Sequence, residues 1–570
     1  MTVPGNEKKG DGGGVLGYGL LARLLVYVYS LNWFSYITAD PDLWGHVKFG
    51  GDIWAQGAIP ATDPFSYTAF GQPWTNHEWL SEVIFYLVYS AFGSTGLLLF
   101  KALIGLAVVG ILTSLTLDWF ERRAADGAGR GTARAIYIAT FFLAAPAMAP
   151  AFMVRPHLLT LLFLAVLTAI LRDHFDAPTG DRPSGFSARN PLAWTPPLFA
   201  VWANCHGGVT AGIGIFGLAT AAEWVQNRME GKDRPRELSL FFALSCLALL
   251  ATPYGFNLLV YLQRALSLHR PIGEWGPIPL LDGRFLAFKI MAAVFLATLF
   301  FTQCAAGQTP GGDTAMTQSD RRNAISASAQ AGGGVGSGGT LGEIAVLLVA
   351  VAYGFKQQRH SPLAAILLAP YLFRQGLWLA ERLAAGKFPE NLSPAFHAVA
   401  KTVAVLFVAF QLHGAWFKYR SNDFQILVEP GAYPSYAVRF MTANGIGGNI
   451  LVPFDWGEYV IWKLPGSKVS VDGRFETVYP AEVVRKNLAF SAGLPGWEAM
   501  LKDYPADVIL IRRSDRTDVV LERDGQWVRI YEDPATAIFV PRSDPPGPAL
   551  QKHYNRELVD PPGPPGFHFP

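Results

Sequence analysis

The chain has 570 residues, of which 51% are apolar and only 16% charged, and its mean hydropathy is +0.24. This composition excludes an ordinary soluble enzyme and indicates a polytopic membrane protein with room for a soluble domain. A net charge of +2 indicates no nucleic-acid partner, and 3 cysteines without CxxC spacing indicate neither a disulfide framework nor a zinc site.

The first apolar run predicts a membrane span. Residues 1–14 are polar and glycine-rich, and they precede an apolar run over residues 15–38. That run is roughly 24 residues long, too long for the core of a signal peptide. With Lys8 and Lys9 ahead of it, we predict a flexible cytoplasmic N-terminus followed by an uncleaved span.

Further apolar runs predict a helical bundle of about eleven to twelve spans over residues 15–418, because only helices satisfy their own backbone groups in lipid. These runs are 97–119, 135–150, 157–171, 191–205, 208–226, 238–252, 285–303, 341–355, 362–384 and 395–415.

The segment 79–92 decides the sidedness of the loops, because at about 14 residues it is short for a full crossing. If it spans, the arginine-rich loop 120–134 falls outside, against the positive-inside tendency. If it is half-inserted, that loop and a disordered Gly/Ser/Ala-rich linker, 304–340, lie in the cytoplasm. The first loop, 39–78, then shares the outer face with several short polar turns.

Those outer turns carry the histidines and arginines of a candidate site. The turns are MVRPH (153–157), WANCHGG (202–208), TPYGFN (252–257), EWGPIPLLDGR (274–284) and KQQRHSP (356–362). Their candidate substrate- and phosphate-binding residues are Arg155, His157, His206, Arg359 and His360. Structural pairing with acidic residues, a satisfied bundle histidine and snorkelling at a helix end are the alternatives.

The first outer loop opens with Asp40-Pro41-Asp42. This pattern is typical of a helix start, and the helix is expected to reach about Gln56. Asp63-Pro64 is expected to begin a second short helix. The functional interpretation is a carboxylate pair at the membrane surface: one takes the proton of an acceptor hydroxyl attacking an anomeric carbon, and the other orients it or holds a divalent cation.

A leaving lipid phosphate needs cations or hydrogen-bond donors, which the outer turns supply. The arrangement resembles the GT-C class of membrane glycosyltransferases, which includes protein mannosyltransferases and lipopolysaccharide sugar transferases. The resemblance covers roughly residues 15–260 and rests on Asp40-Pro41-Asp42, GDIWAQGAIPATDPFSY and FGSTGLLLFKALIGLAVVGILTSLTLDWFERR. It implies polyprenyl-phosphate sugar donors and a base or metal-binding role for Asp40 or Asp42.

One segment departs from the class. Where mannosyltransferase-like members often have Lys-Pro-Pro, this chain has GQPWTNHEWLSE (71–82). Here His77 and Glu78 are candidates to bind a metal or orient an acceptor, and Glu78 shares a helical face with Glu82. A buried or interfacial polar network is the alternative.

The composition changes near Tyr419 to that of a soluble α/β domain, 419–542, predicted to be extracytoplasmic. A proline-rich tail, 543–570, is expected to be extended or disordered. The predicted strands are 449–454, 468–474, 506–513, 527–533 and 536–542, the last two forming a hairpin. Asp455, Asp472 and Arg474 follow strand ends, where they would grip an acceptor, pack the domain onto the outer loops, or simply form turns and caps.

The favoured hypothesis is an inverting membrane glycosyltransferase of the cytoplasmic (inner) membrane. It would move a sugar from a polyprenyl-phosphate donor to a glycan, lipid or protein acceptor on the outer face. A transporter or flippase of cell-envelope components is one alternative, and it predicts ionisable residues near mid-span. A non-catalytic scaffold is the other, and it predicts first-loop carboxylates that cap helices and point away from any cavity.

Overall fold

The computed structural model of the chain describes residues 18–123, 130–176, 185–233, 235–267, 273–307, 340–383, 394–429 and 431–570. The predicted N-terminal segment, 1–14, and nearly all of the predicted linker, 304–340, lie outside these residues.

Helices account for most of the chain before residue 420. They are α1 (Tyr18–Phe34), α2 (Leu43–Gln56), α3 (Trp79–Arg123), α4 (Arg130–Met148), α5 (His157–Asp176), α6 (Thr195–Cys205), α7 (Val209–Met229), α8 (Arg236–Ala248), α9 (Phe256–Ser267), α10 (Leu286–Gly307), α11 (Leu341–Lys356), α12 (Ser361–Leu383) and α13 (Pro394–Arg420). Within the described residues, 6 helices are long and apolar enough to cross a membrane. The polytopic helical class is therefore confirmed.

Small residues let the membrane helices approach one another closely. A methyl group on Gly212 would lie 2.4 Å from the ring of Trp202, and one on Gly354 would lie 2.5 Å from the ring of Phe288. Close approach at small residues is how helices associate in lipid, where burying apolar surface brings little gain.

The helix α3 breaks at Gly93, whose φ of 63° places it in the left-handed region. Near the start of α3, Ser81 Oγ donates to the carbonyl of Cys205 at 2.6 Å. Just after the break, Ser94 Oγ accepts from the backbone N–H of Ile426 at 2.7 Å. Both ends of the segment 79–92 thus contact elements on the side of the molecule that carries the first loop, which is the arrangement expected of the half-inserted alternative.

The remainder of the chain forms an α/β unit with a five-stranded sheet. Its strands are β1 (Asn449–Leu451), β2 (Lys468–Val469), β3 (Val508–Arg512), β4 (Trp527–Glu532) and β5 (Thr536–Pro541), in the order β2-β1-β3-β5-β4. The first three pair in parallel and the last two as an antiparallel hairpin. Its helices are α14 (Ser435–Asn444), α15 (Gly457–Lys463), α16 (Ala481–Ser491), α17 (Glu498–Asp503), α18 (Arg516–Asp524) and α19 (Pro548–Tyr554).

The first loop and the tail both pack onto this α/β unit. Tyr67 donates its N–H to the carbonyl of Val469 at 3.1 Å. At the end of the tail, Phe569 donates its N–H to the carbonyl of Ile426, and its side chain is buried against Trp44. The tail is thus ordered at its end, and residues Pro548–Tyr554 form the helix α19 where an extended or disordered segment was expected.

Candidate active site

The residue Asp42 occupies the N-cap position of α2, yet its side chain makes no capping hydrogen bond. Its backbone N–H instead donates to Asp40 Oδ1 at 3.1 Å. Asp40 is buried, whereas 28% of the Asp42 side chain is exposed. Asp40 thus accepts the N–H two residues along the chain, the bond expected of an N-cap in the Asp-Pro-Asp pattern, whereas the Asp42 side chain caps nothing and is the accessible member of the pair.

One arginine binds both aspartates. Arg155, in the turn between α4 and α5, donates through Nε to Asp40 Oδ1 and lies 3.0 Å from Asp42 Oδ2 through a terminal nitrogen. Burial opposes its charge, but Asp40, Asp42 and Glu274 outweigh burial and hold the pKa of Arg155 well above its usual value. Burial raises the pKa of Asp42, and Arg155 opposes this only in part.

A second arginine lies beside the first. Glu274 is 3.4 Å from a terminal nitrogen of Arg155 and, through its other oxygen, 3.9 Å from Arg359. The guanidinium of Arg359 stacks over the ring of Trp275 with its carbon 4.3 Å from the ring centroid. Arg359 is therefore held by stacking and by one long ion pair, and 27% of its side chain is exposed.

The carboxylate of Glu78 faces two imidazoles. Its Oε1 lies 3.6 Å from His77 Nε2 and 3.5 Å from His206 Nε2. His206 Nδ1 accepts from the N–H of Gly208 at 3.0 Å, so the proton of a neutral ring is on Nε2, towards Glu78. Burial raises the pKa of Glu78 to about 7 and helps to hold the pKa of His206 well below its ordinary value.

A further carboxylate–imidazole pair joins α2 to α3. His46 Nδ1 lies 3.4 Å from Glu82 Oε1, and Asn76 donates to the other oxygen of Glu82 at 2.6 Å. Burial lowers the pKa of His46, but the hydrogen bond with Glu82 and the charges of Glu78, Glu82 and Asp42 raise it overall. The acidic neighbours thus stabilise the cationic form of His46 by more than burial opposes it.

Two of the predicted site residues make other contacts. His157 Nε2 donates to the carbonyl of Ala151 at 2.6 Å. The ring of His360 packs edge-on against Tyr353 with 5.9 Å between ring centroids. Both histidines thus have contacts of their own, although the ring of His157 lies 6.3 Å from that of His206 between centroids. The structure brings together, in one cluster of ion pairs, Asp40, Asp42, Glu78, His77, Arg155, His206 and Arg359.

The predicted residues of the α/β unit form two separate ion pairs. Arg474 donates to Asp472 at 2.6 Å and to Asp63 at 2.7 Å, and all three are buried. Asp63 also accepts the N–H of Phe65 at 2.9 Å and thus closes a turn, where a short helix was expected. Asp455 pairs with Arg512. Three roles were predicted for these residues: acceptor binding, packing onto the outer loops, and turn formation. Asp472 and Arg474 pack the α/β unit onto the first loop.

Four residues of this cluster, Glu82, Glu274, His46 and Glu458, were not among the predicted site residues. Glu82 was noted only for sharing a helical face with Glu78. Glu274 lies in a turn that the sequence analysis did single out together with Arg155 and Arg359, so that grouping was a usable signal. His46 lies four residues after Asp42, which places it one helical turn away on the same face. Glu458 lies three residues after Asp455, in the stretch that follows a predicted strand, but nothing in that stretch indicates its contact with α2.

The residues present do not fit a metal ion held by Asp40 and Asp42. The Arg155 guanidinium already contacts both carboxylates. Among the described residues, no group of three or more His, Cys, Asp or Glu is arranged to hold an ion. The divalent cation therefore stays a prediction.

The fold is similar to that of two solved membrane proteins. The oligosaccharyltransferase of Archaeoglobus fulgidus matches with a TM-score of 0.53 and 12% identity over 87% of this chain and 69% of that chain. ArnT from Cupriavidus metallidurans, bound to undecaprenyl phosphate, matches with a TM-score of 0.51 and 14% identity over 93% of this chain and 98% of that chain. The GT-C-like fold is therefore confirmed. No protein-family model and no curated protein sequence matches the chain.

Proposed function

We propose that the protein is a membrane glycosyltransferase that moves a sugar from a polyprenyl-phosphate donor to an acceptor hydroxyl on the outer face of the cytoplasmic membrane. The observation that carries this proposal is the accessible carboxylate of Asp42, which caps no helix and is held by Arg155. The fold supports it, because one solved protein with this fold is bound to undecaprenyl phosphate.

In the proposed reaction, Asp42 accepts the proton of the acceptor hydroxyl. The acceptor oxygen forms a bond to the anomeric carbon while the bond from that carbon to the phosphate oxygen breaks, so the product is inverted and polyprenyl phosphate leaves. A raised pKa suits this role, because a base works best when its pKa approaches the operating pH.

The two arginines take different roles in this proposal. Arg155 contacts three carboxylates, Asp40, Asp42 and Glu274, and so arranges the acidic groups. Arg359 has a single ion pair at 3.9 Å and an exposed edge, which suits it to meet the leaving phosphate. The neutral His206 and the Glu78 carboxyl lie where they would contact the sugar or the acceptor.

The first test measures transfer by purified protein in liposomes supplied with a panel of undecaprenyl-phosphate sugars, each radiolabelled in the sugar. Release of undecaprenyl phosphate and labelling of acceptors from an envelope extract are the two readouts. We expect Asp42→Asn to lower the rate at least about 100-fold, because it removes the proton acceptor and keeps the shape.

The matched control is Asp52→Asn. Asp52 is also on α2, but it pairs with Lys48 at 2.5 Å, so its substitution should leave the rate unchanged. Full activity of Asp42→Asn, or a wild-type protein that cleaves none of the donors, would contradict the proposal. The second result would favour a scaffold.

A further inference from the structure

A carboxyl group of the α/β unit caps the helix that carries the active-site aspartate. Glu458, on α15, is buried, and its Oε2 accepts the N–H of Gly45 at 3.0 Å. Gly45 is the third residue of α2, so its N–H is one of those that an N-cap side chain normally satisfies. Asp42 holds the N-cap position and makes no such bond. Glu458 therefore satisfies an N–H of the first turn of α2 that a side chain at the N-cap position would otherwise accept.

The same glutamate lies beside Asp42 itself. A methyl group placed on Gly473 would lie 2.4 Å from Asp42 Oδ1 and 2.7 Å from Glu458 Oε1. A methyl group on Gly45 would lie 2.2 Å from Glu458 Oε2. The carboxyl groups of Asp42 and Glu458 therefore lie close together, and a side chain larger than hydrogen at Gly45 or Gly473 would collide with them.

The surroundings of this carboxyl pair favour a neutral Glu458. It faces Asp42 from α2 and Asp472 and Arg474 from the α/β unit, and Arg474 is already paired with Asp472. Burial, with Asp42 and Asp472, raises the pKa of Glu458 well above its ordinary value. On its other side Asp42 faces Arg155, His46, Asp40 and Glu274. A neutral carboxyl can accept the Gly45 N–H without placing a second negative charge against Asp42.

We propose that Glu458 is a positioning residue of the active site: it takes the capping hydrogen bond of α2 in place of Asp42 and thereby leaves the Asp42 carboxylate directed at Arg155 and the cleft. The inference rests on the proposed function. The hydrogen bond from Gly45 to Glu458 joins residues 413 positions apart, one in the first loop and one in the α/β unit. The α/β unit would therefore help to position the catalytic group.

The test compares Glu458→Ala with Glu458→Gln. The alanine variant leaves the Gly45 N–H without its acceptor, so Asp42 is expected to turn back and cap α2. We expect kcat per folded protein to fall at least tenfold, while KM for the undecaprenyl-phosphate sugar changes less than twofold. The glutamine variant is neutral and keeps an acceptor oxygen, so it should retain at least half of the wild-type kcat.

A second pair of variants probes the same contact from the other side. In Gly473→Ala the new methyl group would displace Asp42, so kcat should fall as in Glu458→Ala. Gly466→Ala is the control in the same unit, because its methyl group would meet nothing within 4 Å. Wild-type kcat in Glu458→Ala or in Gly473→Ala would overturn the proposal, as would a loss in Glu458→Gln equal to that in Glu458→Ala.

Hydrogen exchange separates this inference from the proposed function. The Gly45 amide should be protected in the wild type and in Glu458→Gln and should exchange quickly in Glu458→Ala, whether or not any sugar is transferred. Equal protection in all three proteins would overturn the capping role. If the wild type transferred no sugar while the exchange pattern held, the proposed function would fail and the capping contact would stand.

Discussion

At the residue scale, the carboxylates of the site other than Glu458 are each paired with a cationic or imidazole group. Asp40 and Asp42 meet Arg155, Glu78 meets two histidines, and Glu82 meets His46. Such pairing is required because an isolated buried charge costs several kcal/mol. The site can therefore concentrate acidic groups at the membrane surface while its accessible aspartate remains able to ionise.

The pairing of Glu78 leads to a prediction about pH. Burial raises its pKa from 4.5 to about 7, so between these values the folded protein holds a proton that the unfolded chain has lost. The stabilisation is thus present at low pH and is lost as the pH rises through 7. Burial lowers the pKa of His206, which acts in the opposite direction, so the test is the difference between the two proteins. From about pH 5 to about pH 8 the melting temperature of the wild type should fall relative to that of Glu78→Gln. Glu498→Gln, on the exposed side of α17, should behave as the wild type, and an equal fall in Glu78→Gln would refute the prediction.

At the scale of elements, the position of α2 depends on its close contact with α3. A methyl group on Gly50 would lie 2.0 Å from the carbonyl oxygen of Glu82. Because α2 carries Asp42 at its start and His46 one turn later, any displacement of α2 moves both away from their partners on other elements.

Gly50→Ala is therefore expected to destabilise the protein by about 1–3 kcal/mol, as overpacking typically does, and to lower the rate of transfer. Gly19→Ala, in α1, is the control, since its methyl group would meet nothing within 4 Å. Alanine favours a helix by up to about 1 kcal/mol, so this control should melt at the same temperature or slightly higher. Thermal unfolding in detergent measures both, and equal melting temperatures would contradict the prediction.

At the scale of the whole molecule, the α/β unit and the first loop are joined by a buried ion cluster. Arg474 pairs with Asp472 of its own unit and with Asp63 of the loop, and the Tyr479 hydroxyl donates to Asp472 at 2.6 Å. The guanidinium also lies over the rings of Phe49 and Trp74. This cluster fixes the first loop against the α/β unit, on the same interface where Glu458 contacts α2.

Arg474→Met should cost roughly 3–5 kcal/mol, because it leaves two buried carboxylates without their cation. It should also speed hydrogen exchange in residues 62–70. Arg512→Met is the control: Arg512 and its partner Asp455 are 29% and 46% exposed, and an exposed pair contributes about 1 kcal/mol or less. Similar losses in the two variants would show that the buried cluster does not hold the loop.

The sequence predicts an element correctly where residues close together in the chain determine its structure. The helix after Asp42 ends at Gln56 as expected, and the strand at residues 508–512 lies within its predicted range. The expected helix at Asp63 is absent and a turn replaces it, because the carboxylate is bound by Arg474 from a distant part of the chain. A capping pattern indicates which backbone N–H groups a side chain can bind locally. A cation from a distant part of the chain can bind the same carboxylate and change the local structure.

The sequence by itself determined the membrane class, the α/β character of the C-terminal part and the grouping of Asp40, Asp42, Arg155, His206 and Arg359 on one face. These follow from apolar length, strand periodicity and loop charge, which are local properties. Only the tertiary structure decided that Arg155 binds both aspartates, that His157 and His360 make other contacts and that Glu458 replaces Asp42 as the cap of α2. Those outcomes depend on contacts between residues far apart in the chain. Tertiary packing creates these contacts, and the local sequence around either residue does not indicate its partner.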